Sequence, residues 1–336
     1  MRLLSNACFN DFFSFIIYLS QLTRAAPVIK TARYHILGAG SIGCLWAAAL
    51  AKAGQSVTAI VRDDAVATSS SKSPSPSQAP IILESNQGTI KSLVDITTAG
   101  QVTKLDTLLV CVKSYQLEQA LLAVAHSVTQ HSDIVLLQNG MGHLETARTI
   151  IPNGRVWLAT NTHGAYLKEP LHCVHAGHGE TLIGQATTES GTGTDNFITA
   201  LDRALPSVKV SNDINHILWS KLAVNAVINP LTAVHQVNNG ALLENNQLKQ
   251  QAEDLIEEMA PVFSHYAPKL SKNSIRHNIF KVAQQTSANN SSMKQDMANK
   301  KETEIDAITG YLLAAASKIG IGLPAHQQLY QRIKRT

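Results

Sequence analysis

Tyr34-His35-Ile36-Leu37-Gly38-Ala39-Gly40-Ser41-Ile42-Gly43, followed by Leu45, Ala49, Leu50 and Ala53 and then by Val57 to Val61, is the stretch that decides the fold. Tyr34 to Leu37 reads as a short apolar strand. The spacing from Leu45 to Ala53 reads as a helix that Gly54 stops, and Val57 to Val61 as a second strand. A Gly-x-Gly-x-x-Gly run set between strand and helix is the context a dinucleotide requires. Gly38 makes the tight turn, Gly40 admits a pyrophosphate to the backbone, and Gly43 lets helix and strand pack closely. The helix N-terminus then holds the phosphates, which makes Gly38, Ala39, Gly40, Ser41, Ile42 and Gly43 candidate cofactor-binding residues. An acidic residue closing the second strand would bind the ribose 2'-hydroxyl of NAD. The position holds Arg62, whose guanidinium suits a 2'-phosphate and favours NADP(H), although Asp63 beside it keeps NAD open.

Outward from this unit, residues 67 to 80 are a Ser/Pro-rich stretch that reads as a flexible surface loop. Ile81 to Leu83 and Thr89 to Leu93 flank Asn86-Gln87-Gly88 as a short hairpin. A strand at Asp106 to Val112 ends in Lys113, and another at Ile134 to Leu137 ends in Gln138-Asn139-Gly140-Met141-Gly142, with an apolar helix over about Leu117 to Val128 between them. Parallel sheets bind ligands at the carboxyl ends of their strands, so Lys113 and Asn139 are delivered to the cofactor crevice. A further strand, Val156 to Thr160, precedes His163, His172, Cys173, His175 and His178. These do not read as a metal site: His172 and Cys173 fall on opposite faces of a strand, and no carboxylate pattern completes a ligand set.

The chain's 336 residues suggest roughly two domains at about 150 residues each. Its 44% hydrophobic and 15% charged composition excludes a disordered, collagen-like or coiled-coil chain. A net charge of +4 with no basic face gives no reason to expect nucleic acid or an anionic membrane as partner, though small anions stay open. Cys8, Cys44, Cys111 and Cys173 lie far apart without a CxxC spacing, which fits a reducing compartment better than zinc or disulfides. Residues 1–31 are expected to be an extension outside the fold. Arg2, the apolar run Phe12 to Leu19 and Arg24-Ala25-Ala26 imitate a signal peptide poorly, because Asp11 borders a run too short to span a membrane. By its sequence pattern, no other segment is expected to approach that length.

Beyond Asn212 the pattern turns helical. Lys221, Asn225 and Asn229 recur at i, i+4 and i+8 on a helix whose other residues, Leu222 to Val224 and Ala226 to Ile228, are apolar nearly all round. Such a helix is buried, leaving its polar row to be satisfied by each other or by a ligand, and Pro230 should end or kink it at Asn229. Asn289 and Ser292 lie one helical turn apart and could share a face. Thr303 and Asp306 resemble a capping box with Glu304 at the first helical position, where a carboxylate complements the helix dipole.

Taken in order, Gly38 to Gly43, Val112-Lys113-Ser114-Tyr115-Gln116, Gln138 to Gly142, Trp219-Ser220-Lys221-Leu222, Asn225, Asn229-Pro230-Leu231-Thr232, Asn239-Gly240, Ser291-Ser292-Met293, Asp296 and Thr303-Glu304-Ile305-Asp306 resemble the ketopantoate reductase (2-dehydropantoate 2-reductase) family. The resemblance runs from about Tyr34 to the C-terminus. It implies an α/β fold with an N-terminal Rossmann-type dinucleotide-binding domain, placed at residues 32–211, and an all-helical C-terminal domain at 212–336. It implies NADPH-dependent reduction of 2-dehydropantoate to (R)-pantoate in pantothenate biosynthesis, in the cytoplasm, by a monomer or homodimer. By position it makes Lys221 and Glu304 catalytic, Asn139, Asn225, Asn229, Asn289 and Ser292 substrate contacts, and Arg62, Lys113, Asn139 and Glu304 cofactor contacts, with no metal. A dehydrogenase for another 2-oxo or 3-hydroxy acid would keep the lysine helix, and a non-catalytic NADP(H)-sensing module would need only the glycines.

Overall fold

Residues 33–62, 77–186 and 195–335 are described by the computed structural model; the expected extension 1–31, Cys8 and Asp63 lie outside them. The first part runs β1 (Arg33–Leu37), α1 (Ser41–Lys52), β2 (Ser56–Val61), β3 (Ser77–Ser85), β4 (Gly88–Thr98), β5 (Thr107–Val110), α2 (Leu117–Val124), β6 (Asp133–Leu136), α3 (His143–Ile150) and β7 (Arg155–Asn161). It continues through β8 (Gly164–Glu169), β9 (His172–Gly177), β10 (Thr181–Gln185), α4 (Asp195–Ala204) and β11 (Val208–Val210).

The eleven strands of the described residues form one sheet in the order β11-β10-β7-β6-β5-β1-β2-β4-β3-β9-β8. Its centre, β4-β2-β1-β5-β6-β7, is parallel throughout. Antiparallel pairs appear where β10 meets β7, β3 meets β4 and β8 meets β9. The central strands are continuous apolar runs because both faces are covered. Ile36, Leu109 and Val135 pack with Trp46 and Leu50 of α1, whereas Leu37, Leu108 and Ile134 pack with Leu121 of α2 and Ala147 of α3.

The hairpin is longer than its sequence suggested, and Ser77–Pro80 is strand rather than loop. Its inward residues Ile81 and Leu83 are buried, and Pro80 falls where β9, paired only to Ile82–Glu84, leaves one side open. The helix expected to reach Val128 gives way to a 3-10 turn at Ala125–Ser127.

The second part is helical: α5 (Ile214–His235), α6 (Ala241–Glu244), α7 (Asn246–Tyr266), α8 (Lys272–Gln285), α9 (Ser292–Ala298), a π-helical turn (Asp306–Gly310), α10 (Tyr311–Lys318) and α11 (Pro324–Lys334). Around α5 they enclose a core in which Trp219 stacks on Tyr266 at 5.2 Å and meets Phe263 edge-on. Pro230 does not end α5, which runs on to His235. Ala226 to Ala233 are all buried, and the Thr232 hydroxyl donates to the Ile228 carbonyl at 2.7 Å, so packing outweighs the backbone bond that proline forgoes. Contrary to the sequence reading, α5 is long and apolar enough to cross a membrane by those criteria; most of it is buried among the other helices.

Candidate active site

The carboxyl ends of β2, β1, β5 and β6 lie side by side, at the place where the strand order reverses between β1 and β5. Open α/β sheets take their ligands there. The glycine turn after β1 is set by sterics. Gly38 has φ +98° and a Cβ on it would lie 2.7 Å from Val112, while one on Gly43 would lie 1.9 Å from the Gly38 carbonyl oxygen. A Cβ on Gly40, by contrast, would meet nothing within 4 Å. α1 starts at that point with no side-chain cap and no acidic residue in its first turn. Its N–H groups, including those of Ser41 and Ile42 after Ala39, thus face an open approach that fits a pyrophosphate. Arg62 follows β2 and is exposed.

The loops after β5 and β6 converge on Glu304, which is 5% exposed although 165 and more positions away in sequence. Its carboxylate accepts the Ser114 N–H at 3.1 Å, the Asn139 amide at 3.1 Å and the Lys113 ammonium at 3.4 Å. Lys113 also pairs with Asp296 at 2.9 Å. Burial on its own would lower the Lys113 pKa, but the charges of Glu304 and Asp296 outweigh it and leave the pKa raised. Gly140, at φ +89°, presses so closely on the π turn that a Cβ would lie 2.3 Å from the Ala307 carbonyl oxygen, and Met141 N–H donates to that oxygen at 2.9 Å. His143 Nε2 donates to the Asn139 carbonyl at 3.0 Å, which holds the same loop from the other side.

The expected capping box is absent. Ile305 is the N-cap of the π turn, so Glu304 precedes the helix, and Asp306 instead accepts from Tyr330 at 2.6 Å and Lys334 at 2.9 Å. A buried carboxylate holding three donors does more than complement a dipole.

Lys221, Asn225 and Asn229 form the expected row on α5, with Asn229 buried. They are not bonded to one another: Lys221 Nζ donates to the Asn161 carbonyl oxygen at the end of β7, at 2.9 Å. Burial pushes the Lys221 pKa down to about 8, and the charge of Glu304 opposes that from beyond hydrogen-bonding distance. Asn289 and Ser292 do not share a helix face. α9 begins at Ser292 with Ser291 as its cap, Asn289 lies in the preceding loop, and both side chains are exposed. Ser291 bonds Thr232 at 2.7 Å, which ties that loop to the asparagine end of α5. The histidines form other contacts: His163 Nδ1 lies 3.1 Å from His175 Nε2, and His172 pairs with Glu84 at 2.7 Å. Among the described residues no group of three metal-ligating side chains occurs, and Cys44, Cys111 and Cys173 are free.

Sequence reasoning did not assign Asp296 or Asn161. Asp296 stood within the quoted motifs and could have been weighed as a lysine partner. The Asn161 contact is a backbone carbonyl, which no residue type signals.

One layer thus offers a dinucleotide cradle and the other a half-buried lysine beside it, the division of labour of an NAD(P)-linked oxidoreductase. Comparison with known proteins narrows the class. The sequence profile of ketopantoate reductase PanE/ApbA matches residues 34–188, and that of the ketopantoate reductase PanE/ApbA C terminal matches residues 213–336. The 2-dehydropantoate 2-reductase of Vibrio cholerae is 34% identical over 89% of this chain and 96% of its own. That of Escherichia coli O157:H7 is 32% identical over 89% and 93%. A solved PanE/ApbA family ketopantoate reductase from Ralstonia eutropha superposes with a TM-score of 0.79 at 25% identity, covering 90% of this chain and 97% of that one. The chain belongs to the ketopantoate reductase family.

Proposed function

We propose that the protein reduces 2-dehydropantoate to (R)-pantoate with NADPH, as a step of pantothenate biosynthesis in the cytoplasm. The observation that carries this reading is the half-buried Lys221, held by the Asn161 carbonyl beside the Gln138–Gly140 loop of the cofactor crevice. The chain divides for this purpose into a dinucleotide-binding domain at residues 32–211 and a helical substrate domain at 212–336, with the boundary in the gap between β11 and α5. It acts on a small molecule as a monomer or homodimer, with no nucleic acid or membrane involved.

The glycine turn and the start of α1 hold the pyrophosphate, and Arg62 takes the 2'-phosphate. When bound, the cofactor supplies hydride chemistry. Lys221 holds a proton at Nζ for the substrate carbonyl oxygen as that oxygen becomes an alkoxide, and its ammonium stabilises the developing charge. With a pKa lowered to about 8, Lys221 is still mainly the ammonium at pH 7. Glu304 fixes Asn139 and Lys113 at the crevice, on the cofactor side. Asn225, Asn229, Asn289 and Ser292 with Asn139 orient the substrate's carboxylate and hydroxyl.

A D-mandelate dehydrogenase shares the fold at 20% identity with a TM-score of 0.78, so the fold alone does not choose the 2-oxo acid. NADPH oxidation measured with 2-dehydropantoate beside a panel of 2-oxo acids makes the choice. The reading expects 2-dehydropantoate to give the highest kcat/KM. A better substrate in the panel redirects it to another acid, and no turnover at all leaves a binding module.

A further inference from the structure

Beside Lys221 lies a small, partly open cavity lined by Gln138, Gly140, Thr160, Leu218, Lys221 and Leu222, with about 10 Å³ of room for the centre of a water molecule. One water needs about 10–15 Å³ on that measure and two to four polar partners. The lining supplies them. Gln138 is 6% exposed and Thr160 is 4% exposed. Gln138 Nε2 donates to the carbonyls of Val110 at 2.8 Å and Val112 at 3.1 Å. Because carbonyls only accept, this fixes the amide orientation and leaves Oε1 as its other polar atom. Gln138 Oε1 and Thr160 Oγ1 are both buried without a partner in the protein. Buried oxygens of this kind are almost always paired, by protein or by ordered water. The Lys221 ammonium has three N–H donors, of which one goes to Asn161.

We infer that an ordered water fills this cavity and bridges Lys221 Nζ, Thr160 Oγ1 and Gln138 Oε1, which makes Gln138 and Thr160 positioning residues for the lysine. The water accepts one N–H from Lys221 and the hydroxyl hydrogen of Thr160, and donates to Gln138 Oε1. With Asn161 taking a second N–H, the third is left for the substrate oxygen. The inference rests on the reading of Lys221 as proton donor. It also gives the ammonium back part of the hydration that burial removes. Glu304 is the charged group acting on Lys221, and Gln138, Thr160, Asn161, Leu218 and Leu222 around it are neutral.

The test compares Thr160→Val, which keeps the shape and removes the hydroxyl, with Thr160→Ser, which restores it. In the full chain, kcat/KM for 2-dehydropantoate with NADPH is followed against pH, with Tm and the KM for NADPH as controls. The inference expects the alkaline limb of Thr160→Val to move down by about one pH unit, a tenfold weaker hold on the proton, while Thr160→Ser follows wild type and the KM for NADPH is unchanged. A Thr160→Val profile that superposes on wild type, while Lys221→Ala is inactive, overturns the inference and spares the proton-donor reading. An active Lys221→Ala enzyme overturns that reading instead. Should Thr160→Val fail to fold or Lys221→Ala stay active, a high-resolution crystal structure of the wild type decides: density within hydrogen-bonding distance of all three atoms supports the water, and a featureless cavity overturns it.

Discussion

Replacing Glu304 by glutamine keeps the side chain's shape and removes its charge, and the structure orders the consequences. Oε1 accepts from Ser114 N–H, while Oε2 accepts from both Asn139 and Lys113. A glutamine can serve Ser114 with its oxygen only by turning its NH2 toward two donors. The lost bond from Asn139 to a buried carboxylate is worth about 1.5–3 kcal/mol. The Lys113 contact adds no more than about 1 kcal/mol, since Lys113 is 36% exposed and keeps Asp296. Glu304→Gln should therefore lose about 1.5–4 kcal/mol, roughly 2–6 °C in Tm for a chain of this length, and should exceed the loss from Lys113→Met. Thermal and urea unfolding of wild type and both variants measure this. A Glu304→Gln protein as stable as wild type, or Lys113→Met as the more damaging change, refutes the reasoning.

Gly40→Ala and Gly43→Ala separate cofactor binding from folding: a Cβ at Gly40 meets open space, so Tm should hold while the Kd for NADPH rises, whereas Gly43→Ala should lower Tm by clashing with the Gly38 carbonyl. Equal Tm values for the two would contradict this. Arg62→Ala should shrink the preference for NADPH over NADH in kcat/KM, since only NADPH carries the 2'-phosphate; an unchanged preference removes Arg62 from the site. Burial, with the charges of His175 and His178, lowers the His163 pKa from 6.5 to about 4. The unfolded chain then takes up that proton first as pH falls, so stability should decline between pH 6.5 and 4, and His163→Asn should flatten Tm against pH across that window. Parallel curves would show that His163 contributes nothing to the decline.

The glycine turn was legible because its constraints are local: the tight turn at Gly38 and the helix–strand contact at Gly43 follow from residues within one strand-turn-helix unit. The Lys221 row was legible as well, through its period against an apolar background. The junction at Glu304 was not, because its donors come from loops 165 to 191 positions away and tertiary contacts set its geometry. Thr303 and Asp306 had the spacing of a cap, yet Asp306 is drawn to Tyr330 and Lys334 on α11. That Pro230 does not end α5 has the same reason, since the core holds the helix together through it.

The central claim is that Lys221 supplies the proton when 2-dehydropantoate is reduced with NADPH. The direct measurement is the turnover of Lys221→Ala beside wild type, with NADPH affinity determined on the same preparations. The account predicts a kcat lower by about 10² or more, the scale of a lost general acid, with NADPH bound as in wild type. A variant that reduces 2-dehydropantoate at near wild-type rate would contradict it.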